Sequence, residues 1–372
     1  MKLILINIIL LIPIIINYEN DGKSQFSSIL KIKDKICLLM RMGEIKNKMV
    51  FEVDLQRSYS YVTSRTFRRK FYESSKSLGY FNDKSISNTT LEKLQDTLHF
   101  NDNDIDLPKF VFYFMYKNDT TGYNSLSFAY ESKNEQNSII NLLYSKKYID
   151  KHQLILEIIG GYGSLFAGSF PLNSLDNFRQ GNCSIHNNKW GCDVNSIYVN
   201  KKKIYDIKMY AIFTATSYDI VLPKLVYDYY IDSVIDGLIK EGLCNEKEGK
   251  YACYSHGIKR MPNITLEIGS MFYELNNKDL FMQNETSFVF ICQKNQNDNE
   301  LQLGISFLEK FISIFDYEND LISFYSKDKS VIKNRDKFIE KLVNNKFYII
   351  IVCIVLLVFD MVYNILMLLC HK

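Results

Sequence analysis

Six cysteines, five Asn-x-Ser/Thr sequons and a handful of isolated carboxylates are the residues of this chain whose types and spacing could carry chemistry. The cysteines outside the C-terminal apolar run are Cys37, Cys183, Cys192, Cys244, Cys253 and Cys292. An even set of thiols in an oxidising compartment forms disulfides, although six allow many connectivities and sequence alone does not select one. No Cys-x-x-Cys pair occurs and the chain has 5 histidines, so a zinc site has little to build on and no metal or cofactor is expected. Asn88, Asn118, Asn182, Asn263 and Asn284 head the sequons, which suits a glycosylated, lumenal or extracellular region. Lysine and arginine total 45 against 42 acidic residues, a net charge of +3 that lacks the one-sided field of a nucleic-acid binder. Arg65, Arg68, Arg69 and Lys70, and the run Lys201 to Lys203, read as solvated loops.

These residues sit in a chain of 372 with two apolar ends. Leu3 to Ile16 follow Lys2 with interruptions at Asn7 and Pro13, the pattern of a signal-peptide core; the poor cleavage flank at Asn17, Tyr18 and Glu19 leaves an uncleaved anchor as the alternative. Phe347 to Cys370 form 24 residues dominated by Ile, Val, Leu, Phe and Met, long enough for one helix to cross a hydrocarbon core of about 30 Å. Asp360 and Asn364, four apart on one helical face, call for a partner helix or a protonated carboxyl, or else lie near the inner interface. Single-pass type I placement follows, with His371 and Lys372 alone left for the cytosol.

Between the ends, Val50 to Val53, Phe110 to Tyr116, Gln153 to Ile159, Asp193 to Val199 and Ser287 to Cys292 alternate apolar with polar residues and are rich in β-branched and aromatic side chains, so they read as strands. Lys224 to Lys240, entered through Pro223, is expected to be a helix with Leu225, Tyr229, Ile231, Val234, Ile235 and Leu238 along one face, and Ser138 to Leu143 a shorter one. Asn295 to Asn299 reads as a loop and Ser326 to Lys346 as a charged stalk.

The order of particular motifs narrows this two-lobed, mainly β reading. Gly43 to Ser64 (GEIKNKMVFEVDLQRSYSYVTS) resembles the first catalytic-loop region of the pepsin-type aspartic proteases, in which a strand ends Asp-Thr-Gly-Ser, and Asp54 falls at the catalytic aspartate. Gly160 to Ser169 is similar to the stretch joining the lobes, and Trp190 to Asn200 to the strand that follows it. Ala211 to Pro223 (AIFTATSYDIVLP) is similar to the second catalytic-loop region, with Phe213 read at the position of the second aspartate. Leu301 to Phe324 matches the closing Leu-Gly-x-x-Phe-Leu and Phe-Asp hairpin. The resemblance implies a bilobal acid-protease fold of two six-stranded β-barrel-like lobes, N-terminal lobe 30–171 and C-terminal lobe 172–326; the apolar ends and the charged stretch add signal peptide 1–18, stalk 327–346 and transmembrane helix 347–370. It also implies a disulfide between Cys253 and Cys292; Cys183 and Cys192 then close a short hairpin, and Cys37 and Cys244 either pair or stay as thiols.

The departures from that family bear on function. Aspartic proteolysis needs two carboxylates that share one proton, one to activate water and one to polarise the peptide carbonyl. With Phe213 at the second position its ring would desolvate Asp54 and offer neither proton nor acceptor, and Asp206 and Asp219 are poorly placed substitutes. Leu55 and Gln56 replace the first Thr-Gly pair, which braces the loops in the family, and the second loop carries Thr214 beside Ala215. The flap region, Tyr80 to Asp96, contains no glycine, and about a dozen residues separate the signal region from the first matched strand at Lys31, too few for a prosegment. The expectation is an inactive, membrane-anchored homologue that binds a protein or peptide partner through the cleft or outer surface, and no nucleic acid. Two alternatives stand beside it: an active endopeptidase that pairs Asp54 with an unidentified carboxylate, and a structural glycoprotein whose cleft is filled.

Overall fold

The computed structural model describes residues 24–32, 35–42, 47–63, 91–100, 105–115, 124–130, 138–159, 162–170, 175, 178–185, 188–206, 208–284, 286–296, 299–326, 328 and 330–334. The expected signal peptide, the transmembrane segment, the glycine-free stretch up to residue 90, the basic cluster at residues 65–70, and Asn88 and Asn118 lie outside them. Among the described residues, no helix is long and apolar enough to cross a membrane.

Alternating side chains turn the N-terminal lobe into a barrel. In the strand Lys35–Met42, Leu38, Met40 and Met42 are fully buried while Leu39 is exposed, the period-2 pattern of a sheet with one face in a core. Lys35–Met42, Asn47–Asp54, Asn124–Ser127, Tyr61–Thr63, Ile105–Met115 and Leu91–Phe100 follow one another in the sheet, and the last returns to the first with Met40 opposite Phe100. Closure removes the open edges that an isolated sheet would present.

The same twelve-stranded sheet runs on beneath both lobes through Ser24–Ile32, Tyr162–Gly168, Gln153–Ile159, Ile312–Asp316, Leu321–Ser326 and Arg179–Ser184. Tyr162–Gly168, the stretch expected to join the lobes, lies inside this shared floor between Ser24–Ile32 and Gln153–Ile159. Ser24–Ile32 thus pairs into this sheet from a point ahead of residue 30.

The second lobe differs from the expected six-stranded barrel. It holds a nine-stranded sheet containing Gly191–Val199, Met209–Phe213, Ile220–Leu222 and Glu300–Leu303, and a four-stranded sheet of Cys244–Lys247, Lys250–Cys253, Ser287–Phe290 and Phe281–Asn284. It also extends past residue 326. Ile332–Asn334, expected in the stalk, pairs with Met271–Tyr273, buries Ile332 and Val331, and receives Arg179 Nη1 on the Ile332 carbonyl at 2.7 Å. Two apolar residues in a charged stretch were enough to add a strand.

The expected helix is present as Lys224–Tyr230 and Asp236–Lys240 joined by a π turn over Ile231–Ile235. Its buried face is Val226, Tyr230, Ile231, Ile235 and Leu238; Leu225 points to solvent, because at 3.6 residues per turn it lies on the side away from Ile231 and Leu238. The shorter helix spans Ile139–Ser145 and starts where Ser138 Oγ accepts from the Asn141 N–H at 3.3 Å.

The structure corrects one disulfide. Cys253 bonds Cys244, which stands directly opposite it in the hairpin of Cys244–Lys247 and Lys250–Cys253 with Cα atoms 4.0 Å apart. Cys292 is a buried thiol in a different sheet, opposite Ile220, and Cys37 is also a buried thiol. Cys183 bonds Cys192 as expected.

Candidate active site

Each lobe contributes a loop set between parallel strands. In the N-terminal lobe Asn47–Asp54 runs parallel to Asn124–Ser127, with Val53 opposite Leu126 and Asp54 opposite Ser127, and Tyr61 stands antiparallel to Ser125. In the C-terminal lobe Met209–Phe213 runs parallel to Glu300–Leu303, with Phe213 opposite Leu303, and Val221 stands antiparallel to Gln302.

The two registers superpose with loops of equal length in one way. Placing Tyr61 and Ser125 on Val221 and Gln302 places Val53 and Leu126 on Phe213 and Leu303, and Asp54 and Ser127 on Thr214 and Gly304. The loop hydrogen bonds agree. Asp54 Oδ1 accepts from the Gln56 N–H at 2.9 Å, and Thr214 Oγ1 accepts from the Thr216 N–H at 3.3 Å, the same side chain to i+2 backbone turn in both lobes. The counterpart of Asp54 in the second loop is thus Thr214, a correction to the placement of Phe213 there.

Alternation explains the correction. Phe213, like Val53, is fully buried, and its ring lies 5.1 Å from Phe324 and 5.7 Å from Phe307 in the C-terminal core. The expected packing of the Phe213 ring over Asp54 is therefore replaced by packing inside its own lobe. Thr214 Oγ1 faces Thr216 Oγ1 at 2.9 Å, so a hydroxyl pair occupies the second loop. A count from Leu303-Gly304 back through the paired strands, with no aspartate to anchor it, is the signal that finds Thr214.

Asp54 is buried and its acceptors are taken. Oδ1 also accepts from the Arg57 N–H at 3.0 Å, Oδ2 accepts from Ser125 Oγ at 3.3 Å, and Arg57 Nε lies 3.8 Å from Oδ2. Among the described residues none of its partners is a carboxylate. Arg57 stacks over the Tyr61 ring at 4.5 Å and lies 5.6 Å from the Tyr59 centroid. Burial works against the guanidinium charge, but Tyr61 and Asp54 outweigh it and hold Arg57 above its ordinary pKa. Burial, followed by the charge of Glu52, pushes the Tyr61 hydroxyl far up, and that hydroxyl donates to Glu52 Oε1 at 3.2 Å. Glu52, the acid nearest in sequence, also pairs with Lys35. Asp219 accepts from Gln293, and Asp206 pairs with Lys203 at 2.8 Å, so both are engaged elsewhere.

The residues after the two loop positions are Leu55 and Ala215, both fully buried, so no threonine is available for a brace on either side. Other groups tie the lobes. Gln56 Nε2 donates to the Phe213 carbonyl and, at 3.3 Å, to the Trp190 carbonyl. The Ile36 N–H donates to the Ala215 carbonyl at 3.1 Å. Trp190 Nε1 and Tyr317 Oη both donate to the Phe128 carbonyl at 2.7 Å, and the Phe128 N–H donates to the Asp54 carbonyl at 2.7 Å. Trp190 is thus core, as expected, and also a donor beneath the first loop.

A family model described as eukaryotic aspartyl protease matches residues 116–327, more than half of the chain. The chain belongs to the eukaryotic aspartyl protease family. Solved structures agree on the fold of this family member. It is similar to basic 7S globulin from soybean with a TM-score of 0.64 at 15% identity, covering 85% of this chain and 96% of that one. It is also similar to the aspartic proteinase from Irpex lacteus with a TM-score of 0.66 at 12% identity, covering 83% and 99%. A second family model, a domain of unknown function (DUF1934), matches residues 13–67. No curated protein matches the chain. In this family member the loop after Asn47–Asp54 carries a carboxylate at Asp54 and the loop after Met209–Phe213 carries a hydroxyl at Thr214.

Proposed function

We propose that this protein is a membrane-anchored, glycosylated aspartic-protease homologue that does not cleave peptides and instead holds a protein or peptide partner through the inherited cleft or its outer surface. What supports the reading is the equivalence of the two loops, in which Thr214, a residue that does not ionise, has the place in the second loop that Asp54 has in the first. One carboxylate cannot both take a proton from water and give one to the carbonyl, and threonine supplies no second ionisable group in the accessible pH range. The crowding of Asp54 by Arg57, Ser125 and two backbone N–H groups leaves it serving the loop itself.

The chain organisation in this reading is a signal peptide over residues 1–18, two lobes, a tether, and one spanning helix over 347–370 that leaves the lobes lumenal or extracellular. Both disulfides suit that compartment. Because Ile332–Asn334 is part of the second lobe, the tether is residues 335–346, at most about 40 Å when extended. The filled-cleft alternative has no support from Phe213, whose ring packs in the C-terminal core.

A displayed peptide library panned against purified, glycosylated ectodomain tests the binding half. Enrichment of a consistent motif that a first-loop variant, Arg57→Ala, no longer retains is the expected result. Enrichment indifferent to Arg57→Ala moves binding to the outer surface, and no enrichment of any motif overturns peptide binding.

A further inference from the structure

The sequons differ sharply in what the fold has done with their asparagines. Asn182 lies in Arg179–Ser184, the terminal strand of the twelve-stranded sheet, with its side chain and that of Ser184 exposed on the same face. Asn284 ends Phe281–Asn284, the terminal strand of the four-stranded sheet, and both Asn284 and Thr286 are exposed. Met282, on the same edge, is 54% exposed. Asn263 is unlike either. It is half-buried beside Ile264–Ile268, an interior strand, its Nδ2 donates to Glu274 Oε1, and the Glu274 Oε2 oxygen pairs with Lys333. Its carbonyl accepts from the Asn200 N–H at 3.2 Å, and the Thr265 hydroxyl of its sequon is buried.

We infer that, of the three described sequons, Asn182 and Asn284 carry N-linked oligosaccharide and Asn263 does not, its amide being retained as a structural donor to Glu274. The modification joins the amide Nδ2 to the anomeric carbon of a lipid-linked glycosyl pyrophosphate: the N–C bond forms, the C–O bond to pyrophosphate breaks, and the amide loses one proton to a base of the transferase. At Asn182 and Asn284 the sugar leaves directly into solvent. At Asn263 it would have to leave through the Glu274 and Lys333 pair. Glycans at the first two sites also stand on terminal strands, where bulky polar groups block edge-to-edge pairing with another chain. The inference rests on the lumenal placement proposed above.

Glycopeptide mass spectrometry on the full chain made in a glycosylating secretory host tests it, with disulfide mapping on the same sample to report compartment. The expected result is carbohydrate at Asn182 and Asn284, a bare peptide at Asn263, and both disulfides formed. Carbohydrate at Asn263 at an occupancy matching the other two overturns the inference and leaves lumenal placement standing, as do formed disulfides with Asn182 and Asn284 bare. Reduced cysteines with no carbohydrate anywhere overturn both. A paired reading separates role from occupancy: Asn263→Gln should lower the unfolding midpoint while Asn182→Gln leaves it unchanged and increases self-association, and equal midpoints for the two variants count against the structural role of Asn263.

Discussion

Gln56 reaches from the first loop of the N-terminal lobe to the backbone of the C-terminal lobe, where its amide is held by the carbonyls of Phe213 and Trp190. The bond spans 157 residues of sequence and joins the two loops that would flank a reacting peptide. Replacing Gln56 by alanine removes a half-buried donor and takes one partner from the Phe213 carbonyl, while the Trp190 carbonyl keeps the Phe213 N–H at 3.0 Å, a loss of about 1 kcal/mol. Gln56→Glu sets a carboxylate against those same carbonyls and should cost more. Urea unfolding of the two variants against the unaltered protein checks this; identical midpoints for all three would show that the tie contributes nothing.

The register of the second loop makes a sharper prediction. Phe213→Asp places a charge among Phe307 and Phe324 in a fully buried position and should cost at least about 4 kcal/mol, enough to abolish cooperative folding in a marginally stable chain. Thr214→Asp puts a carboxylate where Oγ1 already accepts a backbone N–H and should cost less than about 2 kcal/mol. Thermal unfolding decides between them. Equal tolerance of the two, or the opposite order, contradicts the placement of Thr214 as the counterpart of Asp54.

Much of this was legible from residue patterns, and the failures have physical causes. Gln153–Ile159 matches its expected strand and Asp54 lies at the end of its expected strand because alternation and a carboxylate at a strand end are local signals. Phe213 was misplaced because Ala211 to Phe213 carries no polar residue to fix the phase, and only pairing with Leu303 does so. The partner of Cys253 is also recoverable: both disulfides close nine-residue separations, Cys183 to Cys192 between the two large sheets rather than across the expected hairpin and Cys244 to Cys253 across paired strands, so the spacing of the first repeats in the second. The role of Gln56 was not, since nothing near it in sequence names its acceptors.

The thiol assignments can be read chemically. Burial pushes the Cys292 thiol well above its ordinary pKa, so it stays protonated and shielded from alkylating reagents in the folded chain. Unreduced digestion should yield peptides linking Cys244 to Cys253 and Cys183 to Cys192, with Cys292 labelled only after denaturation. A peptide linking Cys253 to Cys292 would contradict the structure.

Asp228 gives a pH signature with a defined sign. Hydrogen bonds from Lys224 and then Lys294 hold its carboxyl below the ordinary value, so its contribution is present above the unfolded-state pKa and is lost as pH falls through the depressed folded value. The side chain keeps contact with solvent, which screens the pair, so the contribution is under about 1 kcal/mol. Asp228→Asn should lower stability by that small amount near neutrality and converge with the unaltered protein in strong acid. A gap that widens as pH falls would have the wrong sign.

Catalytic silence is the central claim, and it is tested most directly by incubating purified, glycosylated ectodomain with a diverse peptide library from about pH 3 to about pH 7, where carboxylate pairs of this kind titrate. An Asp54→Ala variant and a transition-state-type aspartic-protease inhibitor run alongside. The account predicts no cleavage at any pH from protein shown to be folded, and no difference between the variant and the parent. Cleavage that disappears in Asp54→Ala and is blocked by the inhibitor would contradict it, and would require a proton donor in the second lobe that Thr214 does not provide.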